Sequence, residues 1–369
     1  MSWRRWLITV ISFAAAIGVS GYLVYRSWRE AGTPAALPTT GHLLALAAMT
    51  VEILARVGKL QLGASALGIP LPFMTSLRTN LGGDFGAGIT PSRSGSEPAR
   101  FLILSESGMK PTSSILILFV ELFLEMTSVL FVAVVLSLVF HGAGAIVGGV
   151  LSVALGYSAF VLGIAYAALM LARHKRSGPP PRWARAIGLN AIRWRRVQRG
   201  LRQLRERLRL MRTARKSLML WAFALSLIHV GARLAVLPAL VLSYDRDATL
   251  GPLILWPLAL IYGGNAAPAP AGGGLIEMAF RGSLGGVIPA PYFAATLIWW
   301  RFYTFYGLLL LGAFVAGGTV MRALRGDVDE KDGENEITPA EGMQATTSTA
   351  ADADPGDDIK LGQEKSRTT

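Results

Sequence analysis

The chain has 369 residues, 52% of them apolar and only 16% charged, with no cysteine and a formal net charge of +13. A soluble domain carries about 25% charged residues, so this composition excludes an ordinary soluble enzyme, and the missing thiol excludes disulfides and thiolate chemistry. The charge is uneven: residues 1–325 hold 32 basic and 11 acidic side chains, whereas 326–369 hold 4 and 12. This is the pattern of a membrane protein with a polar tail.

A hydrocarbon core about 30 Å thick needs roughly 20 apolar residues in helical form. Trp6–Tyr25 meets this without an internal charge. Its length, and the lack of a clean small-residue cleavage site, favour a retained anchor over a signal peptide. His42–Val57 is shorter and carries Glu52 and Arg56, four apart on one helix face. Leu71–Arg100 is apolar but broken by Gly, Ser, Thr and Pro. Ser113–Phe140 spans and holds Glu121 and Glu125. Ala143–Ala172 is a clean span rich in Gly and Ala, a composition suited to close helix packing. Leu218–Leu242 holds His229 and Arg233; Leu250–Gly263 is too short to cross upright. Asn265–Gly286 is broken by Gly, Ala and Pro, and Tyr292–Gly317 spans again with Arg301 inside. Neither broken stretch can face lipid, because its free backbone groups would go unpaired. The expectation is an all-α, polytopic integral membrane helical bundle with six crossings and two broken or re-entrant segments.

The segment 173–216 holds 16 Lys/Arg and the single acid Glu206, which places it in the cytoplasm. Arg4, Arg5, Arg322 and Arg325 then put both termini on the same side. Within this loop Trp194, Val197, Leu201, Leu204, Leu208 and Met211 recur at steps of three and four. That spacing describes a basic amphipathic helix over 182–216 lying on anionic headgroups, a reading preferred to nucleic-acid binding. The division is thus a membrane domain over 1–325 and a disordered acidic tail over 326–369.

Charges inside the membrane are costly and mark functional candidates. The first cluster runs from Asn80 and Asp84 through Pro91, Arg93, Gly95 and Glu97 to Arg100. Arginine forks suit phosphate or carboxylate, while the plain alternative is a solvated loop with an Arg93–Glu97 surface pair. The second cluster is Pro268, Pro270, Ala271, Gly272, Gly273, Gly274 and Glu277. Prolines end one helix, glycines let backbone N–H groups approach a ligand, and a helix restarting near Leu275 aims its positive end at an anion. Glu277 then either caps that helix or pairs with Arg301 or Arg233. Trp299 and Trp300 stand beside Arg301 and offer it stacking faces, though an interfacial aromatic belt explains them equally. His141 and His229 read as packing residues, and no histidine spacing supports a metal site.

In order and spacing these motifs resemble the flippase-like membrane family, the transmembrane region of lysylphosphatidylglycerol synthases and their stand-alone relatives. The family's Asn and Pro-x-Arg-x-Gly-x-Glu-x-x-Arg run is matched by Asn80, Pro91, Arg93, Gly95, Glu97 and Arg100. Its Glu-Arg-x-x-Asp reads Glu121, Leu122 and Glu125 here, so the arginine is lost. Its Pro-x-Pro-Gly-Gly-x-Gly-x-x-Glu reads Pro268 to Glu277, with Ala271 replacing the first glycine, and Arg301 matches its last-span arginine. The resemblance implies lipid handling. The leading expectation is translocation of an anionic or zwitterionic envelope lipid: a phospholipid, an aminoacylated phospholipid, a hopanoid or a polyprenyl-linked lipid. The headgroup is expected at Asn80, Arg93, Glu97, Arg100, Gly272–Gly274 and Glu277, with Glu121, Glu125, Arg233 and Arg301 as a supporting charge network. The soluble aminoacyl-transfer domain of the two-part synthases is not expected in the residues after the last span. No cofactor or metal is expected, and membrane lipids are the expected partners, with a separate lipid synthase as a further one. The alternatives are glycosyl transfer on a lipid-linked substrate, or a non-transporting scaffold for such a synthase.

Overall fold

Nine helical stretches make up most of what the computed structural model describes, namely residues 35–90, 93–140, 215–264 and 274–325, with isolated positions at 18–29, 148–170 and 194–195. Contacts divide the chain into Met1–Arg325 and Gly326–Thr369, and everything described belongs to the first unit. The anchor 6–25, the span 143–172, the basic helix 182–216 and the tail 326–369 lie wholly or largely outside the described residues.

The helices are α1 (Thr39–Ala66), α2 (Phe73–Gly88), α3 (Ser96–Glu106), α4 (Pro111–Val139), α5 (Lys216–Val241), α6 (Leu250–Gly263), α7 (Leu275–Leu284), α8 (Ala290–Arg301) and α9 (Gly307–Arg325), with a π turn over Phe302–Tyr306 joining α8 to α9. Among the described residues there is no strand, as the sequence leads one to expect. Among the described residues three stretches are long and apolar enough to cross a bilayer: Pro111–Val139, Lys216–Val241 and Ala290–Thr319.

α1 is the main departure. It runs 28 residues rather than stopping at Val57, because Lys59, two residues further on, is buried and ion-paired. Leu71–Arg100 is also more regular than its composition implies. α2 stays helical through its glycines as far as Gly88, and α3 takes up the helix again at Ser96. Two helices end by the same device. Gly68 and Gly108 have φ of 74° and 80°, and each is flanked by paired N–H bonds: Gly68 N to Ser65 O and Ile69 N to Ala64 O, then Gly108 N to Ser105 O and Met109 N to Leu104 O. This left-handed cap meets the last carbonyls of a helix, and Pro70 and Pro111 follow.

α1 packs most extensively on α5 and also touches α2, α4 and the π turn; α2 packs on α3 and α9. Small residues permit the closest crossings. Gly86 and Gly95 bring α2 and the start of α3 together so tightly that a Cβ on either lies 2.5–2.7 Å from the other's carbonyl oxygen. A Cβ on Gly312 of α9 would run into the Leu81 carbonyl of α2. Small residues do this in bilayers because close backbone approach gains dispersion contact where lipid and side chain are equally apolar.

The burial pattern is inverted relative to water-soluble proteins. Phe314, Leu138 and Trp221 are 92%, 71% and 66% exposed, while Glu52, Lys59 and His229 are fully buried. An apolar exterior and an ionic interior fit a hydrocarbon surround.

These crossings yield a direct test. Gly86→Leu and Gly312→Leu are expected to lower the detergent-solubilised melting temperature, at an overpacking cost of about 1–3 kcal/mol or more. Gly282→Ala, in α7 with open space where the methyl would sit, is expected to hold or raise it by about 0.5–1 kcal/mol of stability.

Candidate functional site: a buried ionic seam and its cavity

The polar residues of α1 repeat at steps of four and three: Glu52, Arg56 and Lys59. On a helix this spacing makes one stripe, and here the stripe faces the bundle interior. Each member reaches a different helix. Arg56 donates to Asp84 of α2 through Nη1 at 2.6 Å and Nη2 at 3.1 Å. Lys59 Nζ lies 3.4 Å from Glu121 and 3.2 Å from Glu125 of α4. Glu52 Oε1 lies 3.7 Å from Arg233 Nε of α5.

A second group forms where α2, α3 and α4 meet. Arg100 donates to Glu97 at 3.1 Å, to Asn80 Oδ1 at 3.3 Å, and to Glu121 in a close ion pair. Asn80 Nδ2 in turn donates to the Ser76 carbonyl. Arg93 sits in the turn between α2 and α3 with φ of 55°, a left-handed conformation that is strained for a bulky residue. It does not pair with Glu97; its Nη2 lies 4.0 Å from Asp84. Gly95 N–H donates to Thr90 Oγ1, closing the turn. Pro91, its other expected turn residue, lies outside the described residues.

The third group joins α7 to α8. Glu277 does both things its position allows. Its Oε2 accepts from Gly274 N–H at 2.7 Å, capping α7, and its Oε1 accepts from Arg301 Nε at 3.0 Å. Arg301 stacks on Phe305 and Tyr306, at 5.0 and 5.4 Å to the ring centroids, rather than on Trp299 or Trp300. The π turn swings those two rings under the guanidinium, while Trp299 meets His42 and Trp300 meets Phe280. The same turn presents the Thr304 carbonyl to Arg233 Nη2 at 3.3 Å. π turns recur at functional positions for this reason: they re-aim side chains and release carbonyls.

Arg93, Arg233 and Arg301, from three separate elements, line one cavity with Leu260, Ile261, Gly264, Ile276, Trp300, Thr304 and Phe305. Its volume is about 20 Å³, room for about one water. Asn80, Glu97 and Arg100 are not among the lining residues, because their polar atoms are turned to one another and to Glu121. Gly264 and Ile276, on either side of the glycine run in sequence, both line the cavity. Pro268, Pro270, Gly272 and Gly273 lie outside the described residues.

The sequence reading misses Lys59 altogether, and it includes Asp84 in its first cluster without assigning it to the headgroup site or the charge network. The four-and-three step from Glu52 through Arg56 to Lys59 was the available signal. Among the described residues no cluster of His, Asp and Glu has the makings of a metal site.

Breaking one side of a buried pair leaves an uncompensated charge and costs about 3–5 kcal/mol. Arg301→Ala and Lys59→Met are therefore each expected to lower stability in detergent by that order. In the Glu277→Ala/Arg301→Ala double variant the losses are expected to be clearly less than additive; additive losses would show that the pair is not coupled.

No curated protein matches the chain. The family model of the lysylphosphatidylglycerol synthase transmembrane region matches residues 6–312, and the chain belongs to that family.

Proposed function

We propose that the protein translocates an anionic or zwitterionic envelope lipid across a bacterial inner membrane, with the headgroup phosphate passing through the cavity between Arg93, Arg233 and Arg301. The observation that carries this reading is the convergence of three arginines on one cavity inside an apolar bundle. A cation in low dielectric attracts an anion far more strongly than it does in water. Among the described residues, Arg56, Lys59, Arg93, Arg100, Arg233 and Arg301 face Glu52, Asp84, Glu121, Glu125 and Glu277, with Glu97 half exposed at the edge. Among these described residues the cations outnumber the enclosed carboxylates, six to five, and a phosphate redresses the balance.

As it stands the cavity has room for about one water, too little for a lipid headgroup. A headgroup reaches the arginines only when α5, α8 and the α2–α3 turn separate. The acyl chains stay in the bilayer along the apolar outer faces, so only the headgroup crosses through protein. The chain moves lipid rather than making or breaking a bond on it. Both termini and the basic segment 182–216 face the cytoplasm in this scheme, where the segment lies on anionic headgroups and offers a docking face to a separate lipid synthase.

The test is reconstitution into liposomes with a fluorescent phosphatidylglycerol and a membrane-impermeant quencher. Arg93→Ala and Arg233→Ala are expected to slow translocation by about ten- to hundredfold, the scale of one lost charged hydrogen bond at about 1.5–3 kcal/mol. Arg78→Ala, which breaks the half-exposed pair with Glu106, is expected to translocate at the parent rate. Parent-like rates in both arginine variants would sink the reading.

A further inference from the structure

Glu52 occupies the middle of α1 and is fully buried, yet neither carboxylate oxygen has a hydrogen-bond partner. Three groups ring Oε1 just beyond bonding distance: Arg233 Nε at 3.7 Å, Arg56 Nη1 at 3.9 Å and His229 Nε2 at 3.9 Å. Both His229 ring nitrogens, Arg233 Nε and the Tyr262 hydroxyl are likewise buried without a hydrogen-bond partner. So many unmet polar atoms around one carboxylate are rare in a packed interior and call for an explanation.

The charges that act on Glu52 come from every helix packed there. They are Arg56 on its own helix, Arg233 and His229 on α5, Asp84 on α2 and Glu125 on α4, with the Tyr262 hydroxyl on α6. Most of these are committed elsewhere. Arg56 forks onto Asp84, and Lys59 binds Glu125. Arg233 donates through Nη2 to the Thr304 carbonyl but has no carboxylate closer than Glu52, and its Nε has no hydrogen-bond partner. It stands between Glu52 on one side and the cavity it lines on the other.

We propose that Glu52 is a proton-binding site whose protonation hands the charge of Arg233 to an anion in the cavity, so that proton and anion bind together. This rests on the reading above, in which the anion is a lipid headgroup. Ionised Glu52 neutralises Arg233. When a proton from water adds to a Glu52 oxygen, the only new bond is that O–H, and the guanidinium is left for the phosphate. His229, 3.9 Å away, is the group placed to pass the proton on. The sign follows directly: an anion on Arg233 raises the proton affinity of Glu52, so protons are taken up on binding and affinity falls as pH rises. Gln at position 52 is neutral at every pH and mimics the protonated form.

The experiment is calorimetric titration of the detergent-solubilised full chain with short-chain phosphatidylglycerol. It is run between pH 5.5 and 8 in two buffers of different ionisation enthalpy, and repeated with inorganic phosphate. For the parent, the expected result is uptake of up to one proton per lipid bound, with affinity falling up to tenfold per pH unit. Glu52→Gln is expected to bind at least as tightly as the parent at pH 8, without uptake and with a flat pH profile. Binding by the parent without proton uptake overturns the proposal whatever the variant does, and leaves translocation standing if liposomes still move lipid. The same pH profile in parent and Glu52→Gln also overturns it. Absence of both binding and translocation overturns this proposal and the translocator reading together. Proton-linked binding of inorganic phosphate as tight as that of the lipid supports the Glu52 site and overturns the lipid reading.

Discussion

The ionic stripe of α1 fixes where its neighbours sit. Glu52, Arg56 and Lys59 each need a counter-charge, because a lone charge in hydrocarbon costs several kcal/mol. Those counter-charges lie on three different helices, at Arg233, Asp84 and the Glu121–Glu125 pair. Apolar side chains pack almost equally well in several registers. Ion pairs at fixed heights do not, so the stripe ties α2, α4 and α5 to α1 at defined positions.

The same constraint separates the polar interior into parts with different capacities. In the Arg100–Asn80–Glu97–Glu121 group both terminal nitrogens of Arg100 are bonded within the group, although its Nε is not, and the Arg56–Asp84 fork is bidentate. Of the cavity arginines, Arg301 is bonded to Glu277 at 3.0 Å, whereas Arg93 and Arg233 are held more loosely by carboxylates. Arg93 meets Asp84 only at 4.0 Å, and Arg233 meets Glu52 only at 3.7 Å. Arg100 thus sits within a group of carboxylates and an amide, whereas Arg93 borders the cavity.

Much of the architecture is legible in single segments. The length and apolarity of 111–139 and 216–241, the short stretch 250–263 and the helix restart at Leu275 follow from local pattern, and the structure has them within a few residues. The end of α1 was not legible. The apolar run His42–Val57 stops short of Lys59, and only Glu121 and Glu125, more than 60 positions away, make Lys59 an interior residue. The glycines of α2 read as breaks for a similar reason. Helix propensity disfavours them, but close crossings with α3 and α9 use their missing side chains.

By itself the sequence determined a membrane-embedded helical protein, its family, and the short list of charged residues able to act. Composition, run length and motif order are local properties, and they survive without knowledge of contacts. Which charges pair, which stand loose, and which three arginines meet at one cavity were decided only by the tertiary structure. Coulombic compensation in a low-dielectric interior depends on distances of a few ångströms between helices that are remote in the chain.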